Sequence, residues 1–185
     1  MRNHSRIAFG CDDYALNSEW DAENENPERN ANRYSADLLL PQSMFATRAK
    51  NRPITFETVR DLSGSFQTSL TSTAIRLVEL GSFPAMVLCN ENNGRRRWFV
   101  RNSDVPTSLW PRDKPASYTI ASDLLRGIFA PQHPVEVSSA GWFDYPGSDR
   151  YAIQEDSFQI TPELVLSLLW WNVERQLIEM EDSNF

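Results

Sequence analysis

The sequence predicts an α+β fold in which a helical N-terminal half, residues 1 to 101, precedes a mixed α/β lobe, residues 102 to 185. Three observations point there. Helix-boundary signals and apolar residues at helical spacing concentrate before residue 81, and two β-rich runs flank an Asn-rich turn at 90 to 94. Pro106, Pro111 and Pro115 then break up the stretch that follows, which reads as a loop or linker. With 41% apolar residues in 185, the chain has the material for a buried core.

Residues 12 to 28 carry seven carboxylates and no Lys or Arg, a self-repelling stretch. At Asn26-Pro27-Glu28 the chain supplies an N-cap, a first-turn proline and a carboxylate suited to the positive helix end, so a helix is expected to run from there to Pro41. Its buried stripe is Ala31, Tyr34, Ser35, Leu38 and Leu39. A short helix at about 42 to 49 follows. Thr55 caps a third, with Phe56, Val59, Leu62 and Phe66 inward, broken by Gly64 and the polar Gln67-Thr68-Ser69. A fourth carries Leu70, Ala74, Leu77 and Val78 up to Gly81. Ala85 to Cys89 and Arg96 to Val100 form a hairpin around Asn90 to Gly94. The second lobe is read as a short helix near 122 to 129 and strands near 134 to 143 and 150 to 159. Thr161-Pro162-Glu163 is a helix-start signal, yet Leu164 to Trp171 suits a buried strand equally, and periodicity leaves the two open. Residues 173 to 182 read as helix.

A net charge of -7 gives no global attraction to nucleic acid or an anionic membrane. The longest apolar run, Leu164 to Trp171, is too short to span a bilayer, and no apolar stretch follows the first charged residues as in a signal peptide. Two cysteines, Cys11 and Cys89, make neither a CxxC pair nor a disulfide framework, so a reducing, cytoplasmic setting is expected. No phosphate-binding loop, dinucleotide fingerprint or GxSxG elbow occurs. His4 and His133 are the only histidines. His133 reads as a surface residue and Cys89 as a buried thiol, with a zinc site from His4, Cys11, Cys89 and His133 as the minor alternative.

The segment Glu28-Arg-Asn-Ala-Asn-Arg-Tyr-Ser-Ala-Asp-Leu-Leu-Leu-Pro41 resembles the helix E-x-x-A-N-x-[FY]-[AS]-A-x-L-L-x-P of the ImmA/IrrE family of zinc metallopeptidases. It matches at Glu28, Ala31, Asn32, Tyr34, Ser35, Ala36, Leu38, Leu39 and Pro41. The stretch from Ile54 to Leu80 looks like the family's helical pair, so the resemblance covers residues 1 to about 100 well and the remainder loosely. The resemblance implies a zinc site in complete members, built from an HExxH helix and a third ligand at the head of this helix. That third ligand maps onto Glu28. HExxH itself is absent, so the resemblance implies no catalytic residue and no resident cofactor in this chain. Met1 falls inside the family domain on this reading, through a truncated gene or misplaced start, or because the chain is a noncatalytic relative. The implied family role is zinc-dependent cleavage or regulation of a helix-turn-helix repressor, in prophage, mobile-element or stress control.

Two interaction readings stand beside it. The helical pair at 55 to 80 resembles a helix-turn-helix, but its second helix offers one basic residue, Arg76, so core packing is expected and DNA contact is not. Arg95, Arg96, Arg97 and Arg101, interleaved with Trp98 and Phe99, form a basic cluster that reads as a solvated hairpin, with contact to nucleic acid or an acidic partner as the minor alternative. Simple alternation puts Arg95, Arg97 and Phe99 on one face and Arg96, Trp98 and Val100 on the other. Self-association is the remaining expectation, through the apolar face of the 27 to 40 helix that an HExxH helix would cover.

Overall fold

A computed structural model describes residues 39 to 128, 131 and 133 to 183. The expected 27 to 40 helix, Glu28 included, lies almost wholly outside them. The fold is α+β, with the order α1 (Gln42–Ala49), α2 (Phe56–Phe66), α3 (Leu70–Leu80), β1 (Ala85–Glu91), β2 (Arg96–Arg101), α4 (Ile120–Leu125), β3 (Val135–Ser138), β4 (Ala152–Thr161), β5 (Leu164–Trp170) and α5 (Glu174–Ser183). The strands form one antiparallel sheet in the order β2-β1-β5-β4-β3. It takes strands from both sides of the 101/102 boundary read from the prolines, because β5 pairs with β1 along its whole length, from Ala85 opposite Trp170 to Glu91 opposite Leu164.

Alternation along the central strands sends side chains to two different cores. Val87, Cys89, Leu166 and Leu168 meet α1 to α3 through Phe45, Phe56, Leu62 and Leu77. Met86, Leu88, Val165 and Leu169 meet Leu109, Trp142, Phe143 and, from α5, Leu177 and Met180. With both faces covered, β5 reads as a near-continuous apolar run interrupted by Ser167 alone, which is why periodicity could not separate strand from helix. The Thr-Pro-Glu signal is instead the tight turn from β4 to β5. Thr161 pairs with Leu164, and its hydroxyl oxygen accepts from the Glu163 N–H at 3.2 Å where a helix would have used it as a cap.

The expected cap at Thr55 forms, accepting the Thr58 N–H, and Ser69, read as part of a helix-breaking stretch, caps α3 by accepting the Ser72 N–H. Gly64 does not break α2. It sits inside the helix with open space around it, and the chain turns at Gln67, which takes the left-handed conformation at φ 54°. The strand read at 134 to 143 stops at Ser138, where a 3-10 turn, Ser139–Gly141, drops Trp142 into the core. The short helix begins at Ile120, two residues before the expected start, because Thr119 caps it. Residues Thr73 to Val78 of α3 are buried, and Arg76 donates from Nη2 to Leu40 O at 2.9 Å, so this helix packs as core. Among the described residues, no helix is long and apolar enough to cross a membrane.

Candidate functional site

The basic hairpin is not the flat alternating strand that its sequence suggests. Opposite β1 the register steps from Trp98 to Arg96, a bulge at Arg97. That extra residue turns Arg96 away from Trp98 and onto the face of Phe99 and Arg101. The loop after β2 brings Trp110 to the same place, its ring edge-on to Phe99 at 4.9 Å and 85°. The Arg96 guanidinium lies 5.1 Å from the Phe99 centroid and 5.7 Å from that of Trp110, and Arg101 lies 5.1 and 5.5 Å from the same two rings. Two cations therefore bracket a half-exposed tryptophan, 49% accessible.

The same two arginines fasten the loop. Arg96 Nη1 donates to Pro111 O and, at 2.9 Å, to Arg112 O. Arg101 Nη1 donates to Pro106 O at 2.8 Å. Burial lowers both guanidinium pKa values from the usual arginine value, with Asp113 opposing the effect at Arg96, and both stay charged at neutral pH. Their hydrogen-bond acceptors are neutral carbonyls, so the charge of Arg101 is left to act outward, whereas Asp113 offsets part of that of Arg96. Arg95 instead pairs with Asp113 at 3.3 Å in open solvent, a contact of little energetic weight. Of the four predicted arginines, the structure thus joins Arg96 and Arg101 into one constellation and sets Arg95 at its rim; Arg97 is the bulge residue, half-buried in β2. Trp110, its central element, carries no sequence signal of its own between two prolines.

A second arrangement involves adjacent acids on β4. Glu155, fully buried, accepts from Ala121 N at 2.8 Å, Trp142 Nε1 at 3.1 Å and Ser157 Oγ at 2.8 Å, closing the start of α4 on one face. Asp156 points to the opposite face and accepts from Phe56 N at 2.7 Å, closing the start of α2. Each carboxylate meets the positive end of a helix more than thirty residues away. Burial nevertheless raises both pKa values above the usual carboxylate range, outweighing the donors that pull them down.

Of the alternative zinc donor set, the described residues Cys89 and His133 do not come together. Cys89 is closed inside the helix-facing core, whereas His133 is exposed with its Nδ1 3.0 Å from Pro134 O. His4, Cys11 and Glu28 lie outside the described residues, among which no group of three or more His, Cys, Asp or Glu could hold a metal. No family model and no curated protein matches the chain. Among solved structures it is similar to a Mycobacterium tuberculosis transcriptional regulator at 14% identity and a TM-score of 0.45, over 81% of this chain and 48% of that one. The chain thus spans about half the length of that protein.

Proposed function

We propose that this chain is a noncatalytic, regulator-binding module of the ImmA/IrrE-like metallopeptidase class, and that it grips an acidic, partly apolar face of a helix-turn-helix repressor through the Trp110 surface. The observation that carries the reading is Trp110 itself, half-exposed between Arg96 and Arg101. Trp and Arg dominate binding energy at protein interfaces because they bury large, rigid area and place directed donors at modest entropic cost. Here both arginines are fixed by the loop carbonyls before any partner arrives, so little ordering entropy remains to be lost on binding. An acidic partner complements a cationic patch on a protein whose net charge is -7. The metallopeptidase component of the reading rests on the Glu28 to Pro41 segment. In complete members zinc would supply a polarised water; here Glu28 alone stands for its ligands, and no step is assigned to it.

The test measures binding of the purified chain to helix-turn-helix repressors encoded beside its gene, by titration calorimetry. Trp110→Ala is expected to weaken binding by about 2 kcal/mol or more, the scale of an interface hot spot, and raised salt to weaken it further. Unchanged affinity in Trp110→Ala with the melting point preserved would exclude this surface.

A further inference from the structure

On the other face of the sheet, a cleft of about 460 Å³ opens between the start of α2, β4 and the residues Leu124, Gly127, Ile128, Pro131, His133 and Pro134. Its volume falls within the range of small-molecule sites. Phe56, Phe158, Leu124 and Ile128 supply apolar walls, and Ile128 stands exposed among them. Asp156 reaches in from β4 with only 5% of its surface accessible. One of its oxygens holds the Phe56 N–H, while the other has no hydrogen-bond partner among the described residues, and the residue lines the cleft.

One turn along α2 from Phe56, Arg60 lines the same cleft with its guanidinium held 4.6 Å over the Phe158 ring. Arg60 and Asp156 sense each other's charge, yet no ion pair closes between them. Glu57 and His133 add one further acid and one further base to the lining. The cleft therefore holds an acidic and a basic pole separated by a gap. An anion alone would meet Asp156 and Glu57, and the positive α2 terminus is already taken by the Asp156 carboxylate. A cation alone would meet Arg60. A molecule that carries both charges satisfies both poles.

We infer that this cleft binds a small zwitterion of the α-amino acid class with an apolar side chain, its ammonium on Asp156, its carboxylate on Arg60 and its side chain against Phe158, Leu124 and Ile128. Burial raises the Asp156 pKa, opposed by the Phe56 N–H and by the charges of Arg60 and His133. This site is separate from the Trp110 surface and does not depend on it.

Calorimetry on the whole chain compares phenylalanine and leucine with phenethylamine, which lacks the carboxylate, with 3-phenylpropionate, which lacks the ammonium, and with phenylalaninamide, which stands in for a peptide N-terminus. At least one of the two amino acids is expected to bind at least about tenfold more tightly than each singly charged analogue, a difference of about 1.4 kcal/mol. Arg60→Gln, which removes no hydrogen bond of α2, is expected to abolish that preference for phenylalanine over phenethylamine. Asp156→Asn keeps an oxygen for the Phe56 N–H and is expected to weaken amino-acid binding, with the melting point checked alongside. No binding of either amino acid at millimolar concentration, equal binding of phenylalaninamide and phenylalanine, or an Arg60→Gln variant with unaltered preference would each overturn the proposal.

Discussion

Removing the carboxylate at Glu155 by substitution with Ala tests whether the buried acid on β4 holds the second face of the sheet together. The side chain takes three hydrogen bonds in a site with no solvent access. After truncation Ser157 can still bond to Ser167, whose hydroxyl lies 2.8 Å away, but Ala121 N–H and Trp142 Nε1–H lose their acceptor. Each stranded donor costs about 1 to 3 kcal/mol, giving about 2 to 6 kcal/mol for the two, partly offset because a buried charge is also removed. The offset depends on pH. Burial raises the Glu155 pKa in the folded protein, so its stabilising contribution is complete below the unfolded value and is lost as pH rises through the folded one. The difference in unfolding free energy between the natural protein and Glu155→Ala is therefore larger near about pH 4, below the unfolded value, than at about pH 8. Urea unfolding followed by tryptophan fluorescence at both pH values measures it. A difference below about 0.5 kcal/mol at both, or one that grows with pH, would refute the assignment of Glu155 as the buried acceptor.

Gly81→Ala is expected to lower stability by about 1 to 3 kcal/mol, because a Cβ there would meet Leu77 O at 2.4 Å and Ile54 Cδ1 at 3.0 Å; denaturant titration reads it directly. Arg95→Ala should change stability by less than about 0.5 kcal/mol, since its ion pair with Asp113 is exposed. Arg96→Ala should cost clearly more in the same assay, as it releases two loop carbonyls and a ring contact, and equal values for Arg95→Ala and Arg96→Ala would show that the loop is held by other means. Trp98→Ala, on the helix-facing side of β2, should cost about 3 to 5 kcal/mol through the cavity it leaves; thermal unfolding with a shift of less than a few degrees would contradict that packing.

What the sequence determined by itself were the local signals. Thr55 and Gly81 delimit helices because caps act through neighbouring backbone groups, and the hairpin follows from an Asn- and Gly-containing turn between β-rich runs. Tertiary structure decided whatever depended on partners far along the chain. Leu164 to Trp170 became a strand because β1 and β4 were there to pair with it on both sides. One bulged residue moved Arg96 to the other face of β2, and Trp110 joined it across a loop that has no regular pattern. The adjacent acids Glu155 and Asp156 read as ordinary polar strand residues, since nothing near them in sequence says that two helix starts will be delivered to them from 34 and 100 residues away. Hydrogen bonds of that sequence separation are fixed by how the layers pack, and the cleft beside Asp156 and the patch around Trp110 exist only once that packing is complete.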